Sequence, residues 1–324
     1  MLAFLIRRIT QSTVVLMVMS VLVFVGVFYI GNPIDILIAP DATPAEYARA
    51  VHDLGLDKPL WEQYFIFLDG AMHGNFGNSF VYNEPALEII LKRLPATLEL
   101  AFVAMFMAVF IGIPLGMIAG IQHDNWIGRN IMRFSILGFS LPTFWVGLML
   151  IIIFSVYFNI LPSGGRGETV DVFGIPLSFL TWDGLRHLLL PAANLALFKT
   201  SLAIRLSRAG VQENLQMDYV KFAKAKGLSN TRIIGLHVMK NIMIPVVTVL
   251  GMELGNLIAF AVVTETIFSW PGMGKLVIDS IGVLDRPIIV AYLLITVTMF
   301  IIINLIVDIL YSILDPRVRL GDVR

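Results

Sequence analysis

Apolar runs of about twenty residues recur along this chain, and each is long enough to cross a bilayer core as a helix. No other feature restricts its folding as strongly. Inside lipid a backbone must satisfy its own hydrogen bonds, which leaves helices or a closed barrel. Barrel strands would show as alternating segments of about ten residues, and the apolar runs here do not alternate. Hydrophobic residues make up 57% of the 324 positions and charged residues 14%, with a mean hydropathy of +0.84. A soluble domain carries about 25% charged residues. The expectation is an all-α polytopic membrane protein with six transmembrane helices, at 9–30, 95–121, 134–158, 188–206, 243–268 and 288–314. The first follows Arg7-Arg8. Its apolar run is too long for a signal peptide and no small-x-small cleavage site follows, so it reads as an uncleaved anchor.

Lysine and arginine counts give an orientation. Segments 1–8, 122–133, 205–240 and 315–324 hold fourteen, and the opposite set, 31–94, 159–187 and 269–287, holds eight. This bias puts both termini inside. Lys92 and Arg93 weaken it, but they stand at the foot of the second span and can snorkel.

The first external loop, 31–94, carries signs of local structure. Thr43-Pro-Ala-Glu46 has the form of a capping box with proline at the first helical position. Gly55 is placed to stop that helix. A second short helix fits 59–72, with Trp61, Tyr64, Phe65 and Leu68 at spacings of three and four. The pair either lies on the membrane surface or forms a platform for an external partner. The segment 164–182, rich in Gly, Pro and Ser, reads as an irregular loop. Ser269-Trp-Pro-Gly-Met-Gly274 breaks the chain after the fifth span. Such a break either lines a cavity or is a plain external turn.

Within the spans, Gly112, Gly116 and Gly120 share one helix face, as do Gly251 and Gly255. Each set forms a groove for close helix approach, within this chain or against a partner subunit or moving helix. Pro114 and Pro191 should kink their spans. Lys199 and Glu253 lie roughly 10–12 Å inside the cytoplasmic ends of spans four and five at 1.5 Å per residue. A lone mid-membrane charge costs about 2.5–3.5 kcal/mol. The two therefore pair across consecutive spans or line a wet path. Glu265, Asn304 and Asp308 lie nearer the membrane ends and read as interfacial or capping groups. Glu265 and Trp270 also join Lys199 and Glu253 as candidates for a translocation path.

Several chemistries are missing. Pro271-Gly-Met-Gly-Lys275 is followed by Leu276 and lacks a P-loop's first glycine. Gly138-Phe-Ser-Leu-Pro142 lacks the second glycine of a nucleophile elbow. The histidines, at 52, 73, 123, 187 and 237, are dispersed and cysteine is absent, so no metal site and no enzyme are expected. Zero net charge suggests no nucleic-acid partner.

The segment 215–247 stands apart as a polar, basic stretch, and seven Lys/Arg fall between Arg205 and Lys240. A helix is expected from 219 to 226, with Lys221, Lys224 and Lys226 outward and Tyr219, Phe222 and Ala223 on a more apolar side. Gly227 should end it and Ser229 should cap the next helix, which runs through Ile233, Leu236 and Lys240 to Pro245 and the fifth span. A short helix with an apolar edge can sit in a groove of another protein. A basic loop can equally rest on anionic lipid.

Ala223-x-x-x-Gly227 followed by Ile242-x-Ile244-Pro245 resembles the Glu-Ala-Ala loop of permease subunits in binding-protein-dependent ABC importers. The resemblance is to the dipeptide/oligopeptide branch and its first permease subunit, and it covers nearly the whole chain. It includes Leu54-Gly-Leu-Asp-Lys-Pro-Leu-Trp-Glu-Gln-Tyr64, Gly74-Asn-Phe-Gly-Asn-Ser-Phe80 and Arg93-Leu-Pro-Ala-Thr-Leu-Glu-Leu100. It continues in Thr264-Glu-Thr-Ile-Phe-Ser-Trp-Pro-Gly-Met-Gly274 and Leu314-Asp-Pro-Arg-Val-Arg-Leu320. Two departures stand out: Lys221-Phe222 replaces the wider family's Glu-Ala, and the interval from Gly227 to Pro245 is longer.

The resemblance implies a type I ABC importer permease fold in a bacterial inner membrane. It implies an N-terminal anchor at 1–30, a periplasmic loop at 31–94 and a five-helix core at 95–324 with a cytoplasmic coupling loop at 207–242. It implies a second homologous permease, one or two cytoplasmic ATPase subunits carrying ATP and magnesium, and an external solute-binding protein, with no cofactor on this chain. ATPase coupling would fall on Asp218, Tyr219, Phe222, Ala223, Lys224, Ala225, Gly227 and Pro245. The cargo would be a peptide or similar solute. The alternative is a proton-coupled secondary transporter using Glu253 and Lys199, although such carriers often show inverted repeats and none is evident here.

Overall fold

A computed structural model describes residues 2–29, 43–53 and 57–314. The described residues are mostly helical. Among the described residues five helices are long and apolar enough to cross a membrane, and a bent pair makes six if counted as one span. Contacts divide the molecule into two compact units: residues 1–95 with 271–301, and residues 96–270 with the chain from 302 on. The expected helix stop at Gly55 and the motif residues 315–320 fall outside the described residues.

The first unit holds α1 (Leu2–Tyr29), α2 (Pro44–Asp53), α3 (Leu60–Met72) and α12 (Met273–Gly282). It also holds the first turns of α4 (Ala86–Ile121) and of α13 (Arg286–Leu314). Helix α2 begins with the expected capping box: the Thr43 N–H donates to Glu46 Oε2 at 2.8 Å, and the Glu46 N–H donates back to Thr43 Oγ1 at 3.4 Å. Helix α3 packs on α1 through Tyr64 and Phe67 against Phe24, with Tyr64 Oη 2.9 Å from Ser20 Oγ. Trp61 and Phe65 stay exposed. The apolar face of α3 is thus divided, half packed within this unit and half bare. Asp285, fully buried, accepts from the Ser79 hydroxyl and from the Phe80 N–H at 3.2 Å, fixing the turn before α4.

The second unit holds the rest of α4, α5 (Trp126–Ser140) and α6 (Thr143–Leu150), the last running into a π-helical segment Ile151–Tyr157. The expected third span is therefore not one straight helix: α5 and α6 meet at 106°. Pro142 disfavours helical backbone at Leu141 before it, and both residues are extended, with ψ of 137° and 131°. The loop expected at 164–182 is not wholly irregular. It contains an antiparallel hairpin, β1 (Val170–Val172) and β2 (Ile175–Leu177). Phe173 and Gly174, at φ of 53° and 81°, form its two-residue turn, as the strand twist prefers.

Helix α7 (Trp182–Leu215) starts from Thr181, whose side chain accepts from the Gly184 N–H at 2.9 Å. At 34 residues it is about 51 Å long, well beyond the bilayer core. After it come α8 (Asp218–Ala225), α9 (Asn230–Arg232), a π-helical segment Ile233–Val238, α10 (Met239–Phe260) and α11 (Val262–Ile267). The glycine face of α4 explains how tightly α7 lies on it. A Cβ at Gly112 would stand 2.6 Å from Ala203 Cβ, one at Gly116 would stand 2.6 Å from the Ile204 carbonyl oxygen, and one at Gly120 would stand 2.7 Å from Val211 Cβ. Only bare backbone permits that approach. Gly251 of α10 faces Val307 of α13 in the same way, with Cγ2 at 2.9 Å, and Gly255 is buried.

Candidate functional site

Two places in the second unit bring candidate site residues together. The first is the segment joining α7 to α10. Helix α8 ends in a Schellman motif: the Gly227 N–H donates to the Lys224 carbonyl at 2.9 Å and the Leu228 N–H to the Ala223 carbonyl at 3.2 Å. The motif needs a left-handed residue, and Gly227 has φ of +77°. Ser229 then caps α9, its hydroxyl accepting from the Arg232 N–H at 3.4 Å. The stop at Gly227 and the cap at Ser229 stand where the sequence pattern places them.

Burial across α8 differs from the expectation in one respect. The inward residues are Val220 and Ala223, with Tyr219 half-buried, whereas Phe222 is 62% exposed. Phe222 was expected on the apolar side with Tyr219 and Ala223. An interval of three from 219 to 222 leaves it past the edge of a seam centred on 220 and 223. The Lys226 ammonium stands 4.5 Å over the Phe222 ring, and Lys221, paired with Asp218 at 2.8 Å, and Lys224 are also outward. The inward side is anchored on both flanking helices. Val220 and Ala223 join a buried cluster with Val211 of α7, Ile233 and Val238 of the π-helical segment and Ile242 of α10. The Tyr219 hydroxyl donates to Asn214 Oδ1 at 2.7 Å, tying α8 to the end of α7. Pro245 lies inside α10 and is exposed.

The second place lies within the spans. Lys199 Nζ of α7 forms an ion pair with Glu253 Oε2 of α10, so these charges meet across consecutive spans. Lys199 also lines a cavity of about 290 Å³ with Thr143, Asn256 and Thr264 as the other polar groups and Phe198 and Phe260 among the apolar ones.

Glu265 and Trp270, the other path candidates, sit elsewhere. Glu265 is fully buried and accepts from the Thr97 hydroxyl at 2.7 Å. Trp270 is also fully buried, with its indole N–H donating to the Ala96 carbonyl at 2.9 Å. Asn304 and Asp308 are half-buried on α13.

The sequence reading missed Glu99. Its side chain is fully buried and accepts from the Ser178 N–H at 2.6 Å, the Ser178 hydroxyl and Phe179 N–H at 2.8 Å each, and Arg166 Nη2 at 2.6 Å. This clasp holds both ends of the hairpin on α4. A lone carboxylate in an apolar helix was the available signal. Among the described residues no group of three His, Cys, Asp or Glu is placed to hold a metal ion.

Comparison with known proteins agrees with this architecture. Residues 112–320 match the family described as the binding-protein-dependent transport system inner membrane component, and residues 1–101 match its N-terminal companion. The dipeptide transport system permease protein DppB of Escherichia coli K12 is 36% identical over 98% of this chain and 99% of its own length. The di/tripeptide permease DppB of Pseudomonas aeruginosa is 37% identical over 98% and 99%. The glutathione transport system permease GsiC of Escherichia coli is 35% identical over 98% and 99%. Among solved structures, an inward-facing MetNI methionine ABC transporter matches with a TM-score of 0.55 at 13% identity, covering 71% of this chain and 97% of that one. That likeness shows the fold, that of a type I ABC permease. The apolar spans, the fold and the full-length identity converge: this multi-pass chain belongs to the inner-membrane permease family of binding-protein-dependent, dipeptide-type ABC importers.

Proposed function

We propose that this chain forms, with a second homologous permease, the translocation path of an importer for peptides or a similar small solute. ATP hydrolysis on cytoplasmic partner subunits drives it through α8. Both termini lie in the cytoplasm, as the positive-inside count suggests, and an external binding protein delivers the solute. ATP and magnesium belong to the ATPases, and this chain transmits their motion. The names of the relatives support peptide or glutathione cargo.

One observation carries the coupling role. Helix α8 is anchored inward on both α7 and α10 while Phe222, Lys221 and Lys224 face outward. An outward aromatic flanked by cations suits insertion into a groove on another protein. Because Val211 and Ile242 belong to one buried cluster with Val220 and Ala223, a displacement of α8 must repack both long helices. Close-packed interiors transmit such a shift rather than absorb it. The helix that carries Lys199 and the helix that carries Glu253 would then move together.

The test is crosslinking in the copurified complex. A photoreactive residue at Phe222 should capture an ATPase subunit, and Phe222→Asp should weaken copurification while membrane insertion stays normal. Capture of lipid alone, with normal copurification of Phe222→Asp, would favour a membrane-resting loop and overturn the coupling assignment.

A further inference from the structure

The part-buried ion pair at the cavity asks for an explanation beyond helix register. Lys199 is only 9% exposed, yet it lines the cavity. Glu253 stands on the same face of α10 as Asn256 and Leu257, one turn before them, and both of those residues line it. The pair therefore sits at the wall of the space. Thr143, Asn256 and Thr264 add hydroxyl and amide groups, and Phe198 and Phe260 supply apolar surface. A volume of about 290 Å³ stands at the small end of ligand sites, roughly 300–1,000 Å³. It suits a solute of a few residues at most.

We propose that Lys199 and Glu253 are an exchangeable binding pair for a small zwitterion, the carboxylate taken by Lys199 and the ammonium by Glu253. The inference rests on the importer reading above and names the solute class of the path. The empty pair is neutral and each charge is satisfied by the other. An entering zwitterion is also neutral and brings one partner for each residue, so both ion pairs can exchange without an unpaired charge. A solute with only one charge leaves either the buried Lys199 or the half-buried Glu253 without its partner, which is unfavourable. The site thus selects by penalty as well as by attraction.

Binding to the assembled importer in lipid nanodiscs, without the external binding protein, tests this by titration calorimetry. The probes are L-alanyl-L-alanine, its C-terminal amide and its N-acetyl form. The native complex should bind the free dipeptide roughly 10- to 100-fold more tightly than either blocked form. Lys199→Gln should bring the ratio against the amide near one. Glu253→Gln should do the same against the N-acetyl form. The double variant K199Q/E253Q leaves no buried unpaired charge and guards against misfolding, and it should lose both preferences. Equal affinities in the native complex, no binding at all, or both preferences surviving in the double variant would each show that the pair only fixes helix register. Stimulation of ATP hydrolysis by loaded binding protein, in the same discs, reads the importer assignment separately. Its absence would sink that assignment, whereas its presence with an unselective cavity would sink only this inference.

Discussion

Gly227 offers a way to isolate the backbone contribution to coupling. It sits at φ of +77°, and a Cβ added there would meet nothing within 4 Å. Substitution therefore costs conformation alone and creates no clash. For alanine the left-handed region costs about 1–2 kcal/mol, which lowers the population of the native turn roughly 5- to 30-fold. Asparagine enters that region readily and should cost a fraction of this. Proline is locked near φ of about −65°. It also lacks the N–H that reaches Lys224 at 2.9 Å. With proline the motif cannot form, and Leu228 leaves the cluster around Val220 and Ala223. Amide exchange across 217–230 in nanodiscs should show protection in the order native, Gly227→Asn, Gly227→Ala, Gly227→Pro. ATPase copurification should follow the same order and be abolished in the last. Native-like protection in Gly227→Ala, or Gly227→Asn below Gly227→Ala, would refute the reasoning. So would normal copurification of Gly227→Pro.

Other consequences are more local. Gly116→Ala places a Cβ 2.6 Å from the Ile204 carbonyl oxygen and should cost about 1–3 kcal/mol in thermal unfolding. Gly26→Ala, with nothing within 4 Å, should be neutral or stabilising. Glu99→Gln removes the charge that Arg166, Ser178 and Phe179 converge on, and breaking a buried pair costs about 3–5 kcal/mol. Proteolysis of the segment around 160–181 should accelerate, and an unchanged rate would count against the clasp. The Glu46 carboxyl is held below its usual range, first by the Thr43 N–H and then by the Thr43 hydroxyl. A depressed carboxyl stabilises fully above its unfolded value and ceases to do so as pH falls through its folded value. Acid should therefore loosen α2, and Glu46→Gln should remove that pH dependence from its amide protection.

The parts legible in sequence were those set by neighbours along the chain. The capping box at Thr43 and Glu46, the stop at Gly227 and the cap at Ser229 depend on residues within four positions. Each stands where the pattern put it. The Lys199–Glu253 contact was legible only as one of two alternatives: an isolated charge in lipid needs a partner, but a wet path answers that need as well. What stayed hidden depends on distant residues or lies inside uniform apolar stretches. Leu141-Pro142 sits within a continuous apolar run, so a 106° bend read as one span. Phe173-Gly174 lacks the Asn-Gly or Asp-Gly signature of a tight hairpin turn. Glu99 finds Arg166 some 67 positions away and Glu265 is met by Thr97 some 168 positions back. No local pattern encodes such pairs. Phe222 shows the limit of periodicity on a two-turn helix, where one residue's angular offset decides between seam and surface.

Solute uptake into proteoliposomes holding this chain with its partner permease, ATPases and binding protein tests the account most directly. The account predicts uptake that requires ATP and magnesium on the ATPase side, persists when a protonophore collapses the proton gradient, and fails in Gly227→Pro. Uptake that survives without ATP and collapses with the gradient would contradict it.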